Sequence, residues 1–447
     1  MTSIFHSKNV LTPVGIKEAY IFIEDGKITD VTEKYSGNAS MSIEDFGDKV
    51  IMPGIIDTHV HINEPGRTDW EGFLTATKSA AAGGITTLID MPLNSSPVTI
   101  DRASFEEKLI STKDKLYVNV GFYGGLIHGN SGEVKKLIED GVTGIKAFMI
   151  DSGIDEFPFA REEDLREAME VISKYKIPLL VHAELESPIE QLKDYDPCSF
   201  RSFVENRPAK WETDAVKLLI DLSKEYSCHV HIVHVAARES IALISQAKKD
   251  GIIITAETCP HYLYFSSENI PDNETIYKCT PPIRNKNNQE MLWEGIESGV
   301  LDMIVSDHSP CTPDLKETES CNFEKAWGGI SGLQFSLPVV WTEAKKRGIT
   351  LERVSELMST NPAKLAGLDK TKGKIAAGYD ADFAVFSPNK AFKVTDKIIQ
   401  HKHKVTPYLD AELTGVVEST IVNGCKVYDS GSFSGKKYGQ AILRKNI

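Results

Sequence analysis

Residues 51–73, IMPGIIDTHVHINEPGRTDWEGF, contain a run of strand-forming apolar residues that ends in two histidines two positions apart, followed by Glu-Pro-Gly. Successive side chains of a strand point to opposite faces, so His59 and His61 point the same way and their imidazoles converge. Converging imidazoles are a metal-binding geometry. Two polar residues at a strand end explain an isolated His-x-His at least as well, so the rest of the chain has to decide.

The run that contains the two histidines is the first of eight short apolar or β-branched runs, each ending in polar or turn residues. The eight runs are KVIMPGIIDTHVH, GGITTLIDMP, LYVNVGFYGG, TGIKAFMI, IPLLVHAE, HVHIVHV, GIIITAETCP and LDMIVSDHSP. Most are separated by amphipathic helical stretches such as EEDLREAMEVISKY and ESIALISQAKKD. The alternation calls for parallel strands and predicts an α/β fold of the (β/α)8 TIM-like barrel type, whose active site lies at the carboxyl ends of the strands.

Ligand-type residues collect at the carboxyl ends of five of these runs. They are His59 and His61 on the first run, Lys146 on the fourth, His182 on the fifth, His234 on the sixth and Asp307 on the eighth. Chance would scatter such residues along the chain. The strand ends therefore predict a metal site at the catalytic face of the barrel.

The remaining histidines are expected outside this metal site. Four are expected at surface or loop positions: His6, His128, His401 and His403. The last two lie in residues 401–413, HKHKVTPYLDAEL, which we expect to form a solvated basic turn. In HVHIVHV, His229 and His231 lie on the face opposite His234, and we interpret them as structural. For His261 and His308, which lie near the same rim, a role around the site and plain packing are equally good interpretations.

Composition limits the class of protein. At 447 residues the chain fits a large barrel with one accessory module. The apolar and charged fractions, 41% and 26%, are those of a globular protein, and no window is apolar for the length of a membrane span. A formal charge of −14 argues against a general nucleic-acid or anionic-membrane surface. The absence of a secretory pattern in MTSIFHSKNVLTPVG and the seven scattered cysteines lead us to expect a cytoplasmic protein.

The two chain ends predict a second module. Residues 1–51 contain AYIFIEDGKITDV, and residues 372–447 contain GKIAAGYDADFAVFSP and ESTIVNGCKVYDSG, with Asp-Gly and Asn-Gly turn signals. We expect these two parts to pair into one small β-sandwich beside the predicted metal-binding barrel of residues 52–371.

Lys146 is the least intuitive member of the predicted site. An ammonium group has no lone pair for a cation, and a lysine in GIKAFM more often extends out of its strand. In a buried site, however, desolvation favours the neutral amine. A neutral amine can add carbon dioxide to give a carbamate, whose two oxygens can bridge two metal ions. With this lysine, the set would supply ligands for two ions and leave a shared position for water.

On these residues the chain resembles the amidohydrolase superfamily, in particular its cyclic-amide hydrolases: the dihydroorotases, the dihydropyrimidinases or hydantoinases, and the allantoinases. The motifs that look most like the allantoinases are DTHVHINEPGRTDWEGF, AAAGGITTLIDMPLNSSPVT, GIKAFMIDSGIDEFP, AETCPHYL, SDHSPC and AWGGISGLQFSLP. The resemblance covers nearly the whole chain. It implies a homotetrameric hydrolase that opens the hydantoin ring of allantoin to allantoate in purine and ureide nitrogen catabolism, with no nucleic-acid or membrane partner.

The resemblance also implies a role for each site residue. His59 and His61 would bind one divalent ion, His182 and His234 the other, N6-carboxylysine at Lys146 would bridge them, and Asp307 would bind the first ion and act as the base. The expected ion is zinc, with cobalt, iron or manganese as alternatives. Substrate contacts are implied for Asn63, Asn94, Ser152, Thr280 and Gly328.

Two positions distinguish the subfamilies. Dihydroorotases hold a substrate carboxylate with an arginine two residues after the His-x-His pair, where this chain has Asn63, which offers hydrogen bonds but no charge. Dihydropyrimidinases carry a tyrosine shortly after the bridging lysine, where this chain has Asp151 and Ser152. Both differences favour an allantoinase. A hydantoinase or dihydropyrimidinase is the alternative; a dihydroorotase or a noncatalytic scaffold is less favoured, the scaffold because all six ligand positions are filled.

Overall fold

The computed structural model describes residues 2–35, 42–188 and 195–444. Within these ranges the strands are β1 (Thr2–Thr12), β2 (Gly15–Glu24), β3 (Lys27–Thr32), β4 (Ile43–Asp45), β5 (Val50–Pro53), β6 (Ile55–Val60), β7 (Ile85–Asp90), β8 (Asn119–Phe122), β9 (Gly124–Leu126), β10 (Ile145–Phe148), β11 (Leu179–His182), β12 (Val230–Ile232), β13 (Ile254–Thr258), β14 (Met303–Ile304), β15 (Phe383–Lys393), β16 (Glu412–Val422), β17 (Cys425–Asp429) and β18 (Ser432–Phe433).

The α-helices of the same ranges are α1 (Phe73–Ala82), α2 (Arg102–Ser111), α3 (Ser131–Asp140), α4 (Glu162–Tyr175), α5 (Phe200–Glu205), α6 (Ala209–Tyr226), α7 (Glu239–Lys249), α8 (Pro260–Tyr264), α9 (Lys286–Glu297), α10 (Ser336–Lys346), α11 (Leu351–Ser355) and α12 (Asn361–Leu365). A π-helical turn, Glu356–Thr360, joins α11 to α12. No helix in the described part of the chain has the length and apolarity that crossing a bilayer requires.

A parallel barrel occupies the middle of the chain. Strands β6, β7 and β8 pair in parallel, and so do β9 to β14. Only Tyr123 separates β8 from β9. Its N–H donates to the carbonyl of Asp90, at the end of β7, at 3.0 Å, whereas the Gly124 N–H donates to the carbonyl of Gly144, just before β10, at 3.1 Å. The first and last strands meet through a parallel bridge between Val60 and His308. The predicted barrel fold is confirmed.

Burial explains why these segments form strands and helices. Every residue of β6, β7, β10 and β11 is buried, as expected for parallel strands covered on both faces. Helix α4 buries Leu165, Ala168, Met169 and Ile172, a spacing that places them on one face. The barrel strands thus hold their carboxyl ends in fixed relative positions, which is what a site assembled from several strands needs.

The two chain ends form one β-rich module. Its nine strands are connected in a single sheet in the order β18, β17, β16, β15, β5, β1, β2, β3, with β4 beside β1. The ends join where β5 pairs antiparallel with β15 and parallel with β1. A separate apolar cluster that includes Phe5, Ile21, Ile51 and Phe383 forms the core of this module. Strand β5 carries the sheet to Pro53, past the predicted boundary at residue 51. We therefore propose a terminal module of residues 1–53 and 372–447 and a barrel of residues 54–371.

Two histidines predicted at surface or loop positions are buried. His6 lies inside β1, with Nδ1 2.9 Å from an Asp45 oxygen and Nε2 3.1 Å from a Glu18 oxygen. His401 is in a loop, but the prediction of a solvated turn is wrong: its side chain is 0% exposed. The Lys402 N–H donates to Glu71 at 3.2 Å, which holds this segment against the barrel. The sequence around His401 gives no sign of this distant partner.

Candidate metal centre

A small cavity lies at the carboxyl ends of the barrel strands. The structure brings five of the six predicted ligands to its wall: His59, His61, His182, His234 and Asp307. The sixth, Lys146, lies in β10, and its Nζ is 4.9 Å from the ring centroid of Phe148, which also lines the cavity.

The five wall residues approach each other closely. The Nε2 atoms of His59 and His61 lie 3.2 Å and 3.5 Å from the same Asp307 oxygen. The His234 ring centroid is 5.4 Å from that of His59 and 4.6 Å from that of His182. Ligand atoms of His59, His234 and Asp307 all lie within 4.8 Å of one another. The fold therefore gathers donors from four strands around one volume.

His59 is oriented by a buried carboxylate. Its Nδ1 lies 2.5 Å from Glu257 Oε1, and the second Glu257 oxygen lies 2.9 Å from His231 Nε2. If Nδ1 carries the proton and donates it to Glu257, the Nε2 lone pair is free on the side of Asp307. A carboxylate that holds the far nitrogen of a metal-binding histidine is the usual supporting contact at metal sites. Burial also lowers the pKa of His59, which favours the neutral imidazole that a metal requires.

His61 has a comparable contact with an amide. The Asn94 side-chain nitrogen lies 3.2 Å from His61 Nδ1, and the side-chain oxygen of Asn94 is buried without a hydrogen-bond partner among the described residues. Rotating the amide by half a turn exchanges these two atoms, an assignment that hydrogen-bond geometry has to decide. With the oxygen toward Nδ1, the imidazole donates to Asn94, and its Nε2 is free to bind an ion.

His182 is held by an ion pair. Its Nε2 lies 2.6 Å from a Glu184 oxygen, and Arg207 donates to both Glu184 oxygens at 2.8 and 2.6 Å. Burial alone would raise the pKa of the Glu184 carboxyl, but Arg207 and His182 hold that pKa down at about 2. The His182 ring also stacks on Phe148, with centroids 4.5 Å apart. Because Nε2 faces Glu184, the nitrogen left for a metal is Nδ1.

Three observations at the remaining ligands fit a bound cation. Lys146 is 0% exposed, its Nζ has no hydrogen-bond partner within the described ranges, and burial lowers its pKa to about 8. Within the same ranges, the Nδ1 of His234 is buried without a hydrogen-bond partner. Burial opposes ionisation of Asp307, but its neighbouring histidines outweigh burial and hold its pKa far below the usual range. The site thus combines neutral imidazoles, an amine that deprotonates readily and an ionised carboxylate.

Backbone conformation singles out two of the ligands. His234 has φ +37° and Asp307 has φ +46°, in the left-handed region that residues with a side chain seldom adopt. Such conformations concentrate at functional sites, where the surrounding structure holds them in place. His234 stands two residues after β12 and Asp307 three residues after β14, and both line the cavity.

The residues implied as substrate contacts are not all placed alike. Four of them line the cavity: Asn94, Ser152, Thr280 and Gly328. Asn63 is not among the lining residues; its Nδ2 donates to the Pro310 carbonyl at 3.1 Å, and its Oδ1 is buried with no hydrogen-bond partner in the part of the chain that the structure describes. Ser152 donates to the Phe157 carbonyl at 2.7 Å, a contact within its own loop.

Sequence reasoning missed the carboxylates that support the histidines. Glu184 stands two positions after His182, a spacing at which the two side chains share a face if the strand continues, so this contact could have been predicted. Glu257 lies in β13, and nothing in the sequence relates it to His59, 198 residues away. The interpretation of His231 as structural agrees with its contact with Glu257.

The cavity mouth is formed by loops that follow different strands. Arg67 NH2 lies 2.7 Å from a Glu156 oxygen, and Arg67 NH1 donates to the backbone carbonyl of Asn94 at 3.2 Å. The rings of Trp70 and Trp327 meet edge to face with centroids 4.8 Å apart. These contacts connect the loops after β6, β7 and β10 with the loop that carries Trp327, so the mouth has a defined shape.

Comparisons with known proteins agree with this geometry. Residues 50–427 match the sequence model of the amidohydrolase family. The chain is 43% identical to an allantoinase of Arabidopsis thaliana, over 98% of this chain and 90% of that protein. It is also 43% identical to an allantoinase of Streptomyces avermitilis, over 99% and 98% of the two chains. Among solved structures, an L-hydantoinase (dihydropyrimidinase) of Arthrobacter aurescens superposes with a TM-score of 0.93 at 31% identity, over 99% and 100% of the chains.

The family model spans most of the chain, and the allantoinases are similar to it from end to end. The hydantoinase shares the whole fold at a lower sequence identity. The His-x-His pair, the other cavity histidines and Asp307 all lie within the matched range. The chain therefore belongs to the amidohydrolase family and, within that family, to the allantoinases.

Proposed function

We propose that this protein hydrolyses a cyclic amide bond in the hydantoin ring of allantoin to give allantoate, a step of purine and ureide nitrogen catabolism. The observation that carries the proposal is the convergence of the His-x-His pair, His182, His234 and Asp307 on one cavity. That convergence occurs in a chain that is 43% identical to allantoinases over nearly its whole length.

The cofactor that fits these residues is a pair of divalent ions, of which zinc is the first candidate. His59 and His61 would hold one ion and His182 and His234 the other, with carboxylated Lys146 between them and Asp307 on the first. Two ions in such a site lower the pKa of a shared water and polarise a carbonyl group. The donors support this assignment, because Glu257 and Glu184 engage the far nitrogens of His59 and His182.

The protein's own groups would then position the substrate and move one proton. Asp307, kept ionised by its surroundings, accepts a proton from the attacking water and delivers it to the departing ring nitrogen. The water oxygen bonds to the ring carbonyl carbon as the C–N bond breaks, so the reaction needs no oxidant or covalent enzyme intermediate. Backbone groups near Thr280 and Gly328 are available to pair with the ring amide, since both residues line the cavity.

The charges at the cavity favour a neutral substrate. The residues described along its wall include no arginine or lysine. Arg67 lies at the mouth, but Glu156 neutralises its charge at 2.7 Å. Asn63, at the position where a dihydroorotase has its arginine, uses its amide N–H on Pro310. A substrate carboxylate would meet no unpaired arginine or lysine among the described wall residues, whereas allantoin is neutral and rich in amide groups.

Substrate choice tests the proposed function. We expect kcat/KM for allantoin to exceed that for dihydroorotate by about a hundredfold or more, because loss of a buried charge pair commonly costs about 2 to 5 kcal/mol and each 1.4 kcal/mol is a factor of ten. The same metal-loaded preparation should be assayed with allantoin, hydantoin, dihydrouracil and dihydroorotate. Equal values for allantoin and dihydroorotate would contradict the proposal, and a preference for hydantoin or dihydrouracil would assign the chain to the hydantoinase or dihydropyrimidinase alternative.

Metal removal gives a second expected result. The purified protein should hold up to two divalent ions per chain by elemental analysis. Chelation should abolish allantoin hydrolysis, because the ions that the cavity ligands would hold are what activates the attacking water. Adding zinc back should restore the rate of hydrolysis, whereas adding only buffer from the same dialysis should not. Full activity in protein shown to be metal-free would refute a metal-dependent mechanism.

We further propose a cytoplasmic homotetramer. The compartment is suggested by cysteine usage, since all seven cysteines lie in the described ranges and are free, as is usual in a reducing environment. The tetramer rests on family resemblance. Sedimentation of the metal-loaded protein measures the assembly, and fractionation of cells measures the compartment.

A further inference from the structure

A second group of metal-ligating side chains lies beside the proposed hydrolytic centre. Ligand atoms of Cys259, His261 and Asp307 are all within 4.8 Å of one another, and the three residues are 0%, 1% and 7% exposed. Cys259 directly follows strand β13 and His261 lies in the first turn of α8. Asp307 therefore belongs both to this group and to the six ligands of the proposed hydrolytic centre.

The hydrogen bonds of the fold do not account for this group. The Nε2 atom of His261 is buried and has no hydrogen-bond partner in the described part of the chain. A buried imidazole nitrogen without a partner is costly in free energy. Neither Cys259 nor His261 lines the cavity, so substrate contact does not account for them either.

The donor types select a particular class of ion. A thiolate, an imidazole and a carboxylate form a mixed set that suits zinc or a softer ion such as cadmium, and the thiolate disfavours magnesium and calcium. None of the six hydrolytic ligands contains sulfur, so a thiophilic ion gains a bond here that the main centre lacks. Bond lengths at zinc put neighbouring ligand atoms roughly 3.3 to 3.8 Å apart, so small side-chain rotations would close the group around an ion.

We propose that Cys259, His261 and Asp307 form an inhibitory site for a thiophilic divalent cation. The inhibitory part rests on the proposed role of Asp307 as the catalytic base: an ion held by Cys259 and His261 takes the Asp307 carboxylate as its third ligand and withdraws it from proton transfer. Asp307 lines the cavity and so connects this group with the site that serves substrate. Binding displaces the thiol proton of Cys259 to solvent.

The sulfur donor sets the order of affinity among ions. Cadmium binds sulfur more strongly than zinc does, and magnesium prefers oxygen ligands. The expected order of inhibition of the zinc-loaded enzyme is cadmium, then excess zinc, with magnesium inactive.

The test adds cadmium to zinc-loaded enzyme and follows two signals. One is the ultraviolet charge-transfer absorption of a thiolate bound to cadmium, which is independent of turnover. The other is the cadmium concentration that halves allantoin hydrolysis. The variant is Cys259→Ala, and the matched control is Cys228→Ala. The control removes another buried thiol, which lies between α6 and β12 and outside the group.

Without cadmium, we expect Cys259→Ala to keep the rate of the unmodified enzyme. With cadmium, it should lose the absorption that is specific to this site and need at least about ten times more cadmium for inhibition. Loss of even a supporting contact costs that much metal affinity. Cys228→Ala should behave like the parent protein. Unchanged absorption and inhibition in Cys259→Ala would overturn the site, and lost absorption with unchanged inhibition would overturn its inhibitory role.

Two further variants keep the outcome unambiguous. If Cys259→Ala does not fold, Cys259→Ser preserves the volume and still removes the thiolate, so it must lose the same absorption. Asp307→Asn should weaken cadmium binding measured by absorption alone. If the parent protein does not hydrolyse allantoin, the proposed function fails, while the absorption measurements still decide whether the site exists.

Discussion

Lys146→Ala is expected to lower allantoin turnover by at least about a thousandfold, because stabilisation by the ions contributes several kcal/mol and each 1.4 kcal/mol is a factor of ten. Its amine is fully buried in β10 and has no hydrogen-bond partner among the described residues, so its removal breaks no hydrogen bond of the fold. If the lysine carries a bridging carbamate, its removal leaves two ions without their shared ligand. The measurement is kcat/KM with excess zinc.

Rescue distinguishes a bridging ligand from a packing residue. A short carboxylic acid added with excess metal should restore part of the rate of Lys146→Ala by supplying two oxygens where the carbamate stood. Lys146→Arg should not recover, because guanidinium keeps its charge and cannot be carbamylated. Wild-type activity in either variant would exclude the bridge.

A second buried lysine provides the control. Lys108 is 1% exposed, and its Nζ lies 2.6 Å from an Asp90 oxygen and 3.1 Å from the Met91 carbonyl. Lys108→Ala leaves Asp90 buried without this charge, so we expect a loss of stability of about 3 to 5 kcal/mol. Short acids should not raise its activity. The contrast separates an amine that holds the fold from one that the fold leaves available for chemistry.

The sequence predicts the barrel well because its evidence is local and repeated. Each of the eight runs shows its own apolar pattern, and the buried strands β6, β7, β10 and β11 require that pattern on both faces. The position of β5 in the terminal sheet is harder to predict, because it lies only one residue before β6 and its partner β15 lies far along the chain. The apolar segment that contains both strands gives no sign of where one sheet ends and the next begins.

The candidate site divides in the same way. The ligand histidines and Asp307 stand at strand ends, so the rule that barrel active sites lie there is enough to group them. The contacts that orient them depend on tertiary structure: Glu257 reaches His59 from another strand. His401 shows the opposite failure: it stands between polar neighbours and yet is buried, in a segment that a distant carboxylate, Glu71, holds against the barrel.

His59→Ala and His61→Ala are expected to abolish allantoin hydrolysis, with losses of about a thousandfold or more, while the barrel stays folded. Each variant removes a donor whose Nε2 lies within 3.5 Å of Asp307. Residues at the carboxyl ends of barrel strands serve chemistry more than stability. His59→Ala also takes one partner from Glu257, but His231 remains 2.9 Å from that carboxylate. The expected stability loss is therefore modest, about 1 to 3 kcal/mol.

The chain contains its own control for this pair. His229 and His231 repeat the His-x-His spacing, yet the His229 side chain contacts Thr255 at 2.8 Å and does not line the cavity. His229→Ala should retain near-normal kcat/KM and two bound ions, whereas His59→Ala should lose at least one ion by elemental analysis. Near-normal rates in His59→Ala would mean that the first pair, like the second, is structural. Because the two pairs share spacing and residue type, any difference between the variants is due to the strand end at which each pair lies.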